Sequence, residues 1–329
     1  MTNKNRPLFN EETTGKLMKK EFIAIEQSLE IDQAIEHLRE EVKNKRNIHY
    51  IYVIDEEKRL IGTLSLRELL AAEGDSLVST YMETDVVYFP TDLDQEPAAT
   101  VFRDTDLVTI PVVNRNEQLI GVVHVDEIID VIQEETTEDF HKMAPVGSMD
   151  EGLGDANAFT LYRKRIGWLV LLVFINIFSG AGIAHFEDVI ASNIALVFFL
   201  PLLVDSGGNA GSQSATLMIR AMAVGDIKMK DWLKMFLKEI SVSVALGLTM
   251  ALAVATVGVF RGGIKIAIVV AITMTVIVVV GSLIGMSMPF IFNKLKLDPA
   301  TASAPLITSI ADIVGVLIYF SIASKLLTL

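Results

Sequence analysis

Five long apolar stretches in the second half of the chain limit its fold more than any other feature. They lie near residues 166–186, 194–219, 236–260, 264–292 and 303–327. Each comes close to the roughly 20 residues that a helix needs to cross about 30 Å of hydrocarbon. A soluble domain rarely contains so many apolar runs, because its elements need a polar face toward water. The sequence therefore predicts an all-α transmembrane domain of five helices over residues 163–329.

Charge separates this domain from the rest of the chain. Residues 1–162 hold 33 acidic and 15 basic side chains, a net charge of −18, whereas residues 163–329 hold 8 and 13, a net charge of +5. Basic residues cluster before the first stretch, between the second and third, and between the fourth and fifth. Because loops rich in Lys and Arg stay in the cytoplasm, we expect a multi-pass protein of the cell membrane. Its N-terminal half is then cytoplasmic and its C-terminus lies outside.

Several classes of function are excluded by what the sequence lacks. Cysteine is absent, which excludes disulfides, Cys-ligated zinc and thiol catalysis. Residues 1–30 are polar, so we expect no secretory signal peptide. The apolar half shows no nucleophile with an acid–base partner, and His185 is the only histidine after His141. We therefore expect neither an enzyme nor a nucleic-acid-binding protein.

The acidic half contains an internal repeat. The segment IHYIYVIDEEKRLIGTLSLRELL (48–70) aligns with LVTIPVVNRNEQLIGVVHVDEII (107–129) at an offset of 59 residues. Each copy reads as strand, turn, strand and helix start, and a further helix precedes it (32–46 and 95–103). This order resembles a tandem of cystathionine-β-synthase (CBS) domains. We expect a multi-domain protein, in which an α/β tandem CBS (Bateman) module precedes the all-α five-helix transmembrane domain.

The domain boundaries follow from this alignment. We expect an N-terminal tail (1–15), a first CBS domain (16–75), a second (76–133), and a connecting helix and linker (134–162) before the membrane.

The CBS resemblance implies dimerisation and the sensing of adenine nucleotides or ions. Many nucleotide sites of that family place a hydroxyl residue and then an acid at the start of the last helix. Copy one has Ser65 and Arg67 there, and copy two has His124 and Asp126. Asp126 is therefore the candidate nucleotide-binding residue, with ATP or another adenine nucleotide as the ligand. A purely structural module is the alternative.

Acidic residues are dense at the end of the second CBS copy. Carboxylates four residues apart on a helix repel one another, and hard divalent cations prefer oxygen ligands. The cluster predicts a cytosolic Mg²⁺ sensor, and a solvated surface helix is the alternative. The candidate sensor residues are Asp126, Asp130, Glu134, Glu135, Glu138 and Asp139.

Two apolar stretches carry polar and ionisable groups that are rare inside a membrane and that therefore indicate function. The second stretch contains Asp205, Asn209 and Gln213, with small glycines between them. The fifth contains Thr308 and Asp312, which share a helix face. These groups need a protein interior or a water-filled path. Contacts that only hold helices together are the alternative.

The strings PLLVDSGGNAGSQSATLMIRAMAVGDI and DPATASAPLITSIADIVGVLIYF resemble the membrane domain of the MgtE family of magnesium channels. The resemblance implies a homodimer with the pore on its axis and a plug-like connecting helix. It implies Asp312 as the pore aspartate, with Asn209, Gln213 and Thr308 along the path. Asp205 either lines the outer path or bonds to backbone freed by Pro201. Family members commonly begin with a superhelical N domain, which we do not expect in this sequence.

These observations predict a magnesium channel that moves Mg²⁺ into the cell down its electrochemical gradient and is gated by cytosolic Mg²⁺. A secondary divalent-cation transporter coupled to H⁺ or Na⁺ is the main alternative, since it also uses intramembrane acids. Two further alternatives are a membrane enzyme and a sensor whose membrane helices serve only as an anchor. The expected partners are a second copy of the chain, Mg²⁺, an adenine nucleotide and the lipid bilayer.

Overall fold

The computed structural model describes residues 9–10, 12–45, 48–147 and 154–327. The predicted N-terminal tail and the predicted linker therefore lie partly outside the described residues. Contacts divide the chain into two compact units, Met1–Thr136 and Thr137–Leu329.

The first repeat copy forms a three-stranded sheet with helices packed on it. In chain order its elements are α1 (Thr14–Leu17), β1 (Ala24–Glu26), α2 (Ile31–Glu41), β2 (Tyr50–Ile54), β3 (Leu60–Ser65) and α3 (Leu66–Ala71). β1 runs parallel to β2, and β2 runs antiparallel to β3. The β-branched and leucine side chains of β2 and β3 pack with α2 and α3 into one buried core.

The second copy repeats this plan. Its elements are α4 (Val78–Tyr81), β4 (Phe89–Pro90), α5 (Gln95–Asp104), β5 (Thr109–Val113), β6 (Leu119–His124) and α6 (Val125–Met143). β4 is parallel to β5 and β5 is antiparallel to β6. Both hairpin turns contain one residue with positive φ, Lys58 at 64° and Glu117 at 61°, at equivalent positions of the repeat. The predicted α/β order is confirmed.

The two copies exchange their leading segments. A Cβ atom on Gly62 would lie 2.7 Å from the sulfur of Met82, and one on Gly121 would lie 2.8 Å from the sulfur of Met18. Lys19 also bridges to Val122 of the second copy. The segment that precedes the first copy therefore packs on the second, and the reverse also holds. The repeat alignment alone assigned each segment to the copy that follows it.

The second unit consists of helices. α7 (Ala158–His185) and the short α8 (Glu187–Ser192) are followed by α9 (Ala195–Ala223), α10 (Trp232–Lys294) and α11 (Ala304–Leu327). α10 contains non-helical backbone at Gly263, with φ 78° and ψ −179°, which glycine adopts without strain. That kink divides α10 into segments 232–262 and 264–294.

Three helices of the described residues are long and apolar enough to cross a membrane: 158–185, 229–294 and 304–327. The helix 229–294 spans 66 residues and includes the kink at Gly263. Since a membrane-spanning helix needs about 20 residues, the two segments of α10 each have sufficient length. α9 does not qualify by composition, because Asp205, Asn209 and Gln213 interrupt its apolar surface. The prediction of five spans therefore stays a prediction for α9.

Crossed glycine pairs bring α9 and α10 into close contact. Gly207 and Gly211 of α9 face Gly281 and Gly285 of α10. A Cβ atom on Gly285 would overlap the carbonyl oxygen of Gly211, so no larger residue fits there. Small residues at a helix crossing allow this close backbone approach. α9 is consequently held between α10 and α11.

Candidate functional site

A stripe of polar side chains runs along one exposed face of α9. Asp205, Asn209 and Gln213 are spaced four residues apart, and the same face continues through Thr216 to Arg220. All five are exposed in the single subunit. The other face of the helix carries buried Leu203, Gly207, Gly211 and Ala215, which pack inside the unit. The sequence pattern that buries one side of α9 therefore leaves the polar side exposed in the single subunit.

Contacts between α9 and α11 show which residues of the two helices lie side by side, that is, at the same level along the helix axes. A Cβ atom on Gly208 would lie 2.8 Å from Cγ2 of Thr308, and one on Gly315 would lie 3.8 Å from Cα of Val204. The helices are antiparallel, since later residues of α9 meet earlier residues of α11. Asp205 and Asp312 each lie between these two contacts. The structure thus brings two acids that are 107 positions apart to the same level of one helix pair.

Hydroxyl groups continue the polar surface next to the acids. The Oγ of Ser212 lies 3.3 Å from Oγ1 of Thr308 and donates to the carbonyl oxygen of Ala304 at 3.4 Å. Ser212 was not among the predicted site residues. Ser212 lies beside the stripe of Asp205, Asn209 and Gln213 and faces α11.

The two acids differ in their partners. Asn209 donates from Nδ2 to Oδ2 of Asp205 at 2.9 Å. This bond holds the Asp205 carboxylate along the stripe. Asp312 is partly buried, and its Oδ1 is buried without a hydrogen-bond partner among the described residues. A buried carboxylate oxygen in that state requires water, a cation or a donor from another chain.

A second polar cluster lies at the end of α6. The Nζ of Lys142 is 2.6 Å from Oε1 of Glu138 and 2.6 Å from Oδ2 of Asp298, in the loop between α10 and α11. Asp139 is half-buried next to this group. Burial raises the pKa of the Asp139 carboxyl group, and the Asp298 carboxylate raises it further. Arg220 and Lys142 act in the opposite direction.

The six predicted sensor residues are distributed along α6. Asp126, Asp130 and Glu134 are exposed, and Glu135 accepts a hydrogen bond from Nε2 of Gln95 at 2.6 Å. Glu138 and Asp139 belong to the cluster around Lys142. Within the described ranges no three Asp, Glu or His side chains are arranged to hold a metal ion.

The tandem CBS unit contains a cavity of about 380 Å³ beside the first copy. Tyr50 and Tyr52 line it, together with Arg67, Glu68 and Asp85. The hydroxyl oxygen of Tyr52 is buried and has no hydrogen-bond partner in the part of the chain that the structure describes. Asp126, the predicted nucleotide residue, is not among the lining residues. Arg67, which stands in the first copy at the position equivalent to Asp126, supplies the positive charge of this cavity.

Comparisons with known proteins agree with this division of the chain. The family model for MgtE, described as a divalent cation transporter, matches residues 200–322, and the CBS domain model matches residues 15–75 and 78–134. The magnesium transporter MgtE of Thermus thermophilus is 38% identical, over 97% of this chain and 71% of that protein. The magnesium transporter MgtE of Bacillus subtilis is 35% identical, over 95% of this chain and 69% of that protein.

One similar solved structure matches part of the chain. The crystal structure of the cytosolic domain of the Mg²⁺ channel MgtE in complex with ATP is 38% identical in sequence. The match covers 37% of this chain and 50% of that one, with a TM-score of 0.37.

Proposed function

The chain belongs to the MgtE family of magnesium transporters, and on that premise we propose that it is a channel that carries Mg²⁺ into the cell down its electrochemical gradient. Asp312 is the residue at which the ion is selected. Polar surface next to Asp312 along the path is provided by Thr308, Asn209 and Gln213. Mg²⁺ is the transported ion, and the chain acts as a transporter and not as an enzyme.

The observation that carries this proposal is the exposed polar face of α9. A charged side chain at the centre of a bilayer costs about 2.5–3.5 kcal/mol on insertion scales, so Asp205 cannot face lipid at low cost. The stripe therefore faces water or another protein surface. A second copy of the chain, placed with the same face toward the axis, would enclose a water-filled path between two stripes. The proposed active form is accordingly a homodimer with the path on its axis.

The chemistry of Mg²⁺ suits such a path. The ion dehydrates reluctantly and often keeps several waters while it contacts one or two carboxylates. Two copies of Asp312 can hold the ion through its waters, and the unpartnered Oδ1 can accept a hydrogen bond from one of them. The surrounding hydroxyl and amide groups then need only to orient water. A ring of carboxylates around the axis also favours divalent over monovalent cations.

The proposed topology places the CBS unit in the cytoplasm and the C-terminus outside. Lys and Arg are in excess before α7, between α9 and α10, and between α10 and α11, and loops rich in these residues stay in the cytoplasm. Cytosolic Mg²⁺ then acts on the acidic residues of α6, from Asp126 to Asp139. Mg²⁺ shifts the equilibrium toward a closed state only to the extent that it binds that state more tightly than the open state.

The cavity beside the first CBS copy is the proposed adenine nucleotide site. Two tyrosine rings offer apolar surface for the base, and Arg67 offers a charge for phosphate. We expect Arg67→Ala to weaken ATP binding by the full-length chain at least about tenfold, the scale of one lost charge-assisted bond. Calorimetry is the measurement, with Asp126→Ala as the comparison. Unchanged affinity in Arg67→Ala together with lost affinity in Asp126→Ala would move the site to the second copy.

Uptake of Mg²⁺ into proteoliposomes tests the proposal. The wild-type chain should carry Mg²⁺ without any H⁺ or Na⁺ gradient, and Asp312→Asn, which keeps the shape and removes the charge, should abolish uptake. Asp226→Asn is the matched control, because Asp226 is exposed in the loop after α9. Uptake that requires an H⁺ or Na⁺ gradient would favour the coupled transporter. Uptake that survives in Asp312→Asn would refute the assignment of the ion site.

A further inference from the structure

Lys142 links the end of α6 to the loop before α11. Lys142 contacts Glu138 on its own helix and Asp298 in the loop before α11, each at 2.6 Å. The Asp298 contact joins positions 156 residues apart in the sequence. Asp298 is itself anchored, because its Oδ1 accepts a hydrogen bond from the backbone N–H of Ala300 at 2.8 Å. The ammonium group therefore joins the end of α6 to the loop before α11.

The residue after Lys142 packs on the two helices that carry the polar residues of the candidate path. Met143 packs against a buried cluster that contains Ala215 and Ile219 of α9 and Ile307 of α11. Ala215 and Ile307 are sequence neighbours of the polar residues Thr216 and Thr308. The side chain of Met143 thus rests on the buried side of the two helices that carry the candidate path.

The surroundings of Lys142 are strongly acidic. Glu138, Asp139 and Asp298 carry three carboxyl groups, and the partly buried Asp139 lies close enough to Asp298 for the two charges to interact. Without a cation between them these carboxylates would repel one another across the contact. Lys142 is part of the chain, so it supplies this positive charge whatever the concentration of free cations.

We propose that Lys142 is a positioning residue that latches the end of α6 and Met143 against the buried side of α9 and α11, the helices that carry the candidate ion path, as a covalently attached counter-ion for Glu138 and Asp298. The latch makes part of the closed state independent of cytosolic Mg²⁺. The ion path on these helices is the one assigned under the proposed function. The contact itself is a property of the second unit whether or not that path conducts.

The absence of cysteine from the chain allows a direct test of the latch. Met143→Cys introduces a single thiol, whose rate of maleimide labelling in the full chain reports how often the end of α6 leaves its cluster. We expect slow labelling when Lys142 is present. Lys142→Gln and Asp298→Asn should each accelerate labelling about tenfold, the scale of one lost charge-assisted hydrogen bond. Asn keeps the cap on Ala300, so only the charge of Asp298 is removed.

The double variant and two controls make the test specific. Lys142→Gln combined with Asp298→Asn should label no faster than either single variant, since both remove the same contact. Lys142→Arg should restore slow labelling, and Lys230→Gln, at an exposed lysine, should leave the rate unchanged. Rates that multiply in the double variant, or that do not change in either single variant, overturn the latch.

Flux at low cytosolic Mg²⁺ separates this inference from the proposed function. Lys142→Gln should raise Mg²⁺ flux several-fold over wild type when cytosolic Mg²⁺ is chelated, and adding Asp312→Asn should abolish that flux. Accelerated labelling with no flux in any variant would keep the latch and refute the channel. Asp312-dependent flux with unchanged labelling would keep the channel and refute the latch.

Discussion

Asn209 holds the carboxylate of Asp205 in place along α9, by a hydrogen bond of 2.9 Å from Nδ2 to Oδ2. The two residues are one helical turn apart on the exposed polar face, at the level where α9 meets Asp312 of α11. A carboxylate with one oxygen held by an amide keeps its other oxygen free to contact a hydrated cation.

This relationship predicts a role for Asp205 in selectivity. Asp205→Asn removes one charge per subunit from the level of Asp312 and keeps the size of the side chain. We expect Mg²⁺ flux to persist at a reduced rate and the preference for Mg²⁺ over Na⁺ to fall about tenfold, since a charge at close range in a partly desolvated path contributes on the order of 1 kcal/mol or more. Paired ion fluxes in proteoliposomes measure the ratio. Complete loss of flux would instead mean that Asp205, like Asp312, is required for conduction.

Asn209→Ala provides the companion test. It removes the donor and leaves the charge of Asp205, so we expect a smaller loss of selectivity than in Asp205→Asn. The two substitutions together should have the effect of Asp205→Asn alone, because Asn209 acts through Asp205. Independent, additive effects would show that Asn209 contacts the ion path by itself.

The crossed glycines of α9 and α10 predict a stability effect. Gly285→Ala places a methyl group where the carbonyl oxygen of Gly211 lies, so the two helices must move apart. We expect a loss of about 1–3 kcal/mol, the usual effect of overpacking. Gly180→Ala in α7 is the matched control, because no atom lies within 4 Å of its added methyl group and alanine favours helix.

Thermal unfolding followed by size-exclusion of the detergent-solubilised chain measures the effect of each glycine substitution. A lower melting temperature for Gly285→Ala, and an equal or higher one for Gly180→Ala, is expected. Equal effects of the two substitutions would mean that α9 and α10 do not cross at these glycines.

The cluster around Lys142 predicts a pH dependence. Burial and the Asp298 carboxylate raise the pKa of Asp139 in the docked state, so that state binds the proton more tightly than the undocked one. Docking of the end of α6 is therefore favoured as the pH falls through the raised pKa, and disfavoured as the pH rises above it. Glu138, Lys142 and Arg220 are the other charged groups that act on this carboxyl group.

Flux measured between pH 7 and pH 5 on the cytosolic side tests this dependence. The wild-type rate should fall toward acid pH, and Asp139→Asn, which cannot titrate, should flatten the profile and lower the rate at neutral pH. A profile that is the same in both forms would assign the titration to another group.

Much of this architecture follows from sequence patterns. The alternating apolar residues of 48–70 and 107–129 determine strands, and their offset of 59 residues identifies the repeat. The exchange of leading segments could not be predicted, because Met18 and Met82 carry no local signal for the copy on which they pack. Each of these methionines packs against a glycine of the other copy, Met82 against Gly62 and Met18 against Gly121, and that pairing exists only once both sheets have formed.

The candidate site was predicted in part. Rare intramembrane polar groups identified Asp205, Asn209, Thr308 and Asp312, because their cost in lipid makes them informative even without a structure. Their relative level was not predictable, since it depends on the antiparallel contact of α9 with α11. Lys142 was overlooked for a similar reason. In the sequence it is one lysine after an acidic run, and its contact with Asp298 arises only when the α10–α11 loop returns to the end of α6.

The reversal potential of Mg²⁺ current across a planar bilayer tests the central claim most directly. A tenfold gradient corresponds to about 1.4 kcal/mol, and moving two charges through 100 mV corresponds to about 4.6 kcal/mol. Passive conduction of Mg²⁺ therefore predicts a shift of about 30 mV for each tenfold change in Mg²⁺ gradient. We expect that shift at any H⁺ or Na⁺ gradient, and no current in Asp312→Asn. A reversal potential that follows the H⁺ or Na⁺ gradient, or a current that persists in Asp312→Asn, would contradict the channel built around Asp312.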